Sequence, residues 1–149
     1  MILILAAAGM LAAGSVKASL GWTMEECESH WGNGTLIEPS ARPGAYDFRF
    51  KGYEIVTWFM EGKVSRVSYT KLDASPFTSE EIEGLKSINV PNKFWVGPLK
   101  REFGANVRYE WTTGQEFTFY DETPERVVIF TKADDDFIHN LQHSEMSGL

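Results

Sequence analysis

The sequence predicts an α+β fold: two tandem units, each a helix followed by three strands, with the helices packed on an antiparallel sheet. Three observations carry this. A helix-start signature occurs twice, each copy leads into three short runs rich in aromatic and β-branched residues, and the separators between runs are hairpin chemistry.

The first helix start is Trp22-Thr23-Met24-Glu25-Glu26-Cys27-Glu28, and the second is Phe77-Thr78-Ser79-Glu80-Glu81-Ile82-Glu83. In each, a Thr stands at the N-cap and a Glu three residues later completes a capping box. An aromatic residue before the cap (Trp22, Phe77) faces an apolar residue one turn in (Cys27, Ile82), the spacing of a hydrophobic staple. Acidic residues crowd both first turns, where the helix dipole favours them.

After the first helix, a loop with Gly32, Gly34, Pro39, Pro43 and Gly44 precedes strand runs at residues 45–50, 53–60 and 64–70. Lys51-Gly52 and Glu61-Gly62-Lys63 separate them. After the second helix, runs at residues 107–112, 115–120 and 126–132 repeat the pattern, with turns at Thr113-Gly114 and around Thr123-Pro124. Tyr46-Asp47-Phe48 matches Tyr109-Glu110-Trp111, and Tyr69-Thr70-Lys71 matches Phe130-Thr131-Lys132. The repeats therefore span about residues 20–71 and 75–132. Between the second helix and its first run lies an insertion, residues 87–105, with Pro91, Pro98, Phe94 and Trp95. Its prolines argue against a long helix, so it reads as an aromatic-bearing loop with one helical turn near residues 100–103.

The ends read differently. Residues 1–13 are apolar and uncharged, and too few to span a bilayer, which takes roughly 20 apolar residues. With Val16-Lys17-Ala18 behind them they read as a signal peptide, residues 1–18, cut after Ala18. The expected location is periplasmic or extracellular. One α+β domain then covers residues 19–141, closing on an amphipathic helix with Phe137, Ile138 and Leu141 as its stripe, and residues 142–149 form a flexible tail.

Charge narrows the function. Without Lys17 the chain has 13 basic residues against 21 acidic, which opposes nucleic-acid binding and docking on an anionic membrane. No stable membrane anchor is expected after cleavage. Cys27, the single cysteine, is flanked by Glu26 and Glu28, which oppose thiolate formation, so it reads as a small core residue and not a nucleophile.

The entry Gly21-Trp22-Thr23-Met24-Glu25-Glu26-Cys27 with Gly32, and the later Phe59-Met60-Glu61-Gly62-Lys63-Val64, resemble motifs of the SmpA/OmlA (BamE-like) small outer-membrane lipoproteins. The duplicated layout resembles the tandem β-lactamase-inhibitor-protein fold. These resemblances imply a non-catalytic envelope protein that binds other proteins. The lipid-attachment Cys of the lipoproteins and the disulfides of the inhibitor fold have no counterpart here.

The chain has no Gly-rich phosphate loop, no Gly-x-Ser-x-Gly elbow and no His-Glu-x-x-His. Asp136, His139 and His143 share one face of the terminal helix at metal-ligand spacing, but they read as the solvated face of a terminal amphipathic helix, and no metal or cofactor is expected. Strand carboxylates such as Glu110 and Glu116 alternate with aromatics and read as the wet side of a half-buried sheet. The aromatic residues mark the expected recognition surface: Trp58, Trp95, Trp111 and Tyr120. The expected function is thus a non-enzymatic module that binds a protein partner. The alternatives are a small secreted hydrolase or metal-dependent enzyme using strand carboxylates or the terminal His pair, and a carrier of apolar ligands.

Overall fold

Both capping boxes form. The Thr23 hydroxyl accepts from the Glu26 amide at 3.3 Å and the Glu26 carboxylate accepts from the Thr23 amide at 3.2 Å. Thr78 and Glu81 repeat this at 3.1 and 3.0 Å. They start helices α1 (Met24–Trp31) and α2 (Ser79–Asn89). The computed structural model describes residues 19–40 and 42–147. The expected signal peptide, residues 1–18, lies outside the described residues, as do Ala41 and the last two residues of the expected tail.

The strands are β1 (Thr35–Leu36), β2 (Tyr46–Phe50), β3 (Tyr53–Met60), β4 (Lys63–Lys71), β5 (Val96–Phe103), β6 (Asn106–Thr112), β7 (Glu116–Glu122) and β8 (Glu125–Thr131), and α3 (Lys132–Ser147) closes the chain. They form one antiparallel sheet in the order β1-β2-β3-β4-β8-β7-β6-β5. Lys51-Gly52 and Glu61-Gly62 take positive φ at both turn residues, as two-residue hairpin turns between right-twisted strands require.

This architecture corrects the predicted one. The molecule is an eight-stranded antiparallel sheet with three helices, and not two tandem helix-plus-three-strand units. Two strands were unread. β1 is only two residues long, within the glycine- and proline-bearing loop. β5 occupies residues 96–103, where a loop with a helical turn was expected. Proline is tolerated on an edge strand or at a bulge, and Pro98 has both settings: β5 is the sheet's outer strand and its pairing shifts between Val96 and Leu99. The last helix also runs on to Ser147, past Leu141.

Strand alternation divides the sheet into two faces. One carries Phe48, Ile55, Val67, Tyr69, Val127 and Ile129, which pack with Cys27 and Trp31 of α1 and with Ile82 and Leu85 of α2 as the main core. Burying each such side chain contributes about 1.5–3 kcal/mol. Within this layer, Ser19 and Leu20 donate their amides to the Asn89 carboxamide oxygen at 3.1 Å, and the Asn89 amide group donates to the Tyr69 hydroxyl at 2.9 Å. That network ties the entry of the domain to the end of α2. The thiol of Cys27 is buried and free, and burial with help from Glu26 and Glu28 pushes it up to about 12.

The opposite face carries a smaller cluster, Phe117, Phe119, Val128 and Phe130, with guanidinium groups against its rings. Arg66 lies 4.2 Å from the Phe130 ring centroid and Arg108 lies 3.7 Å from that of Phe119. Helix α3 docks on this side through Asp134, whose carboxylate meets Ser65, Arg42 and Arg66, each at 2.7 Å.

Candidate functional site

A cleft of about 540 Å³ opens on the helix-bearing face, where α2 meets β6 and β7. Its wall follows from strand parity. Tyr109 and Trp111 are two apart on β6 and so share a face. Tyr120 on β7 sits directly across from Tyr109, and Thr118 directly across from Trp111. The two tyrosine rings stack with centroids 6.0 Å apart and planes 17° apart. Phe77, the staple residue before α2, meets Tyr120 edge-on at 6.3 Å. Gly97 and Pro98 of β5 complete the lining. Position 97 demands glycine: φ is +137°, and a Cβ there would come within 2.6 Å of the Glu110 carbonyl oxygen. The missing side chain lets β5 lie close against Trp111.

The polar groups of the cleft are acidic. Glu83 and Glu122 line it with Ser79, and all three are exposed. Glu125 accepts from the Tyr120 hydroxyl at 2.7 Å and from the Phe77 amide at 3.1 Å. Burial, then Glu125 and Glu122, push the Tyr120 phenol well above its ordinary value, so it stays a neutral donor. Beside the cleft, the chain places a cation of its own against these rings. Lys86, 2 % exposed, holds its ammonium 4.2 Å from the Trp111 ring centroid and 5.7 Å from that of Trp95, and pairs with Glu83 at 2.7 Å. Aromatic faces and carboxylates together form the chemistry that attracts cations.

Of the four residues predicted for recognition, the structure brings together three. Trp111 and Tyr120 line the cleft, and Trp95, half-buried, flanks Lys86 beside them with its indole N–H buried and without an acceptor. Trp58 lies apart, on the opposite face, across from Arg66. Tyr109, Phe77 and Pro98 were missed. Tyr109 had a readable signal, because it shares strand parity with Trp111. Phe77 had none beyond its staple role, and Pro98 none while β5 was unread.

The other candidate groups are otherwise engaged. Glu110 is paired with Arg101, and Glu116 accepts from the Thr113 hydroxyl. Asp136 pairs with Lys132 at 3.1 Å, and the His139 Nδ1 sits 2.8 Å from the Asp135 carbonyl oxygen. Among the described residues, no group of three or more His, Cys, Asp or Glu side chains is placed to hold a metal ion. No described helix is long and apolar enough to cross a membrane.

No family model, curated protein or solved structure matches this chain.

Proposed function

We propose that this chain is an exported, non-enzymatic module that binds another protein, and that its α2/β6/β7 cleft receives a Lys or Arg side chain of that partner. The observation that carries the reading is the stacked Tyr109–Tyr120 pair beside Trp111, walled by apolar side chains and edged by Glu83 and Glu122. A cation entering there gains the Tyr109 and Tyr120 rings and the Glu122 carboxylate, while Lys86 keeps its pairing with Glu83 on the Trp111 side. Export is supported by the apolar leader of residues 1–13, and protein binding also agrees with the acidic balance of the chain.

Three of the domain's ion-paired carboxylates are poorly placed to act as general acids. Burial pushes the pKa values of Glu81, Asp121 and Asp134 up, but hydrogen bonds from Lys71, from Arg108 and from Arg42 respectively outweigh it. All three are held below the usual carboxylate range. A general acid needs the opposite displacement.

Titration with short peptides carrying one Lys or Arg between apolar residues, read by tryptophan fluorescence, tests the reading. Binding is expected for these peptides and not for Gln-substituted ones. Trp111→Ala and Tyr109→Ala are each expected to weaken it about 10–30-fold, the worth of a desolvated cation–π contact. Equal binding of the Lys and Gln peptides, or indifference to both substitutions, removes the proposal.

A further inference from the structure

The outer edge of the sheet carries an independent inference. Every residue of β5 is exposed, although the strand is eight residues long. Of the seven large hydrophobic side chains that stay exposed among the described residues, four belong to this segment: Phe94 at 84 %, Val96 at 60 %, Leu99 at 56 % and Phe103 at 50 %. A long edge strand with apolar side chains is a template for pairing unless charge or a bulge blocks it.

The charges on β5 do not block pairing; they select a partner. The β5–β6 hairpin turns through Gly104 and Ala105, with Phe103 paired to Asn106. Residues flanking a two-residue turn bond to each other, so Phe103, Arg101 and Leu99 direct their main-chain groups at β6. Lys100 and Glu102 direct theirs outward. Neither side chain takes part in an ion pair of the described residues. An antiparallel copy of the same strand centred on Arg101 places Lys100 opposite Glu102 of the other copy, twice. Leu99 then faces Phe103 of the other copy, also twice. The outward-facing residues fall opposite one another, as the ladder requires. Arg101 meets its own counterpart, each guanidinium already neutralised by the Glu110 beside it. Registers centred on Lys100 or on Glu102 set like charges face to face. Pro98, lacking an N–H, and the register shift between Val96 and Leu99 limit the ladder to residues 99–103.

We infer that β5 pairs with β5 of a second copy about a two-fold axis at Arg101, joining two sheets into one of sixteen strands. The cleft takes Gly97 and Pro98 from the start of this strand, but residues 99–103, which form the pairing edge, lie outside its lining, and the inference stands without the proposed function.

Sedimentation of the protein at roughly 100 μM tests it, with a two-fold dimer expected. Lys100→Glu alone and Glu102→Lys alone each create two like-charge pairs and are expected to weaken the dimer at least about tenfold. Mixing the two variants restores opposite charges across the axis and is expected to restore the dimer, as is the double swap in one chain. Both positions are solvent-exposed, so circular dichroism should show folded variants. A monomeric wild-type protein, a dimer indifferent to the single changes, or a mixture that stays monomeric overturns the inference.

Discussion

Two buried aspartates on the same face of the sheet do different jobs with the same chemistry. Asp121 and Asp134 are 1 % and 0 % exposed, and each lies between two arginines. Asp121 sits on the central one of three strands and reaches sideways to both neighbours. It accepts two hydrogen bonds from Arg108 on β6, at 2.7 and 3.0 Å, and one from Arg126 on β8 at 3.0 Å. Asp134 belongs to a helix, and its partners lie in the 37–45 loop and on β4. The first stitches strands already paired by main-chain bonds. The second attaches a helix to the sheet, and Phe137 on the same helix is 40 % exposed with Arg42 over its ring at 4.8 Å. Removing one partner of a buried charge pair strands the others.

That difference sets the order of effects. Asp134→Ala leaves Arg42 and Arg66 without their shared anion and frees α3. We expect a loss of about 3–5 kcal/mol, read by chemical denaturation, with early amide-exchange loss confined to α3. Asp121→Ala is expected to cost less, about 2–3 kcal/mol, because its arginines are more exposed and can be hydrated where they stand. An equal or larger cost at Asp121 would reverse the comparison.

Acid sharpens it. Both carboxyls are held below their unfolded value of about 3.9. A lowered folded value gives stability that is complete above the unfolded one and lost as pH falls through the folded one. Stability should therefore be level at neutral pH and fall below about pH 4. The Asp134→Asn variant should show a flatter decline than wild type, measured as the denaturation midpoint against pH.

The smallest effects belong to the caps. Thr23→Ala and Thr78→Ala are each expected to cost about 1 kcal/mol. If either matched Asp134→Ala, local helix signals would outweigh the helix-to-sheet anchor.

Legibility followed the same division. The capping boxes, the six strand runs and the buried Cys27 were readable because each is set by neighbours in sequence: an N-cap and its N3 residue, alternating side chains, a flanking Glu. The edge strand β5 was not. Its residues are exposed on both faces, so it lacks the alternation that a half-buried strand shows, and Gly97 and Pro98 carry the composition of a loop. Asp134 sits in the first turn of α3, where the helix dipole alone accounts for an acid, and nothing nearby in the chain signals its partners Arg42 and Arg66, 92 and 68 positions earlier. Trp58 and Trp111 were grouped because both are aromatic strand residues. Parity along one strand was visible, but which faces coincide across the sheet depends on the register of strands far apart in sequence.

The sequence by itself determined the local grammar: where two helices begin, where six strands run, and the acidic, single-cysteine character of the chain. Only the tertiary structure decided that the strands join into one sheet, that Tyr109 and Tyr120 stack beside Trp111, and that two aspartates on one face are each bracketed by arginines. Local rules act through residues a few bonds apart, whereas pairing order and shared faces come from burial summed over the whole chain.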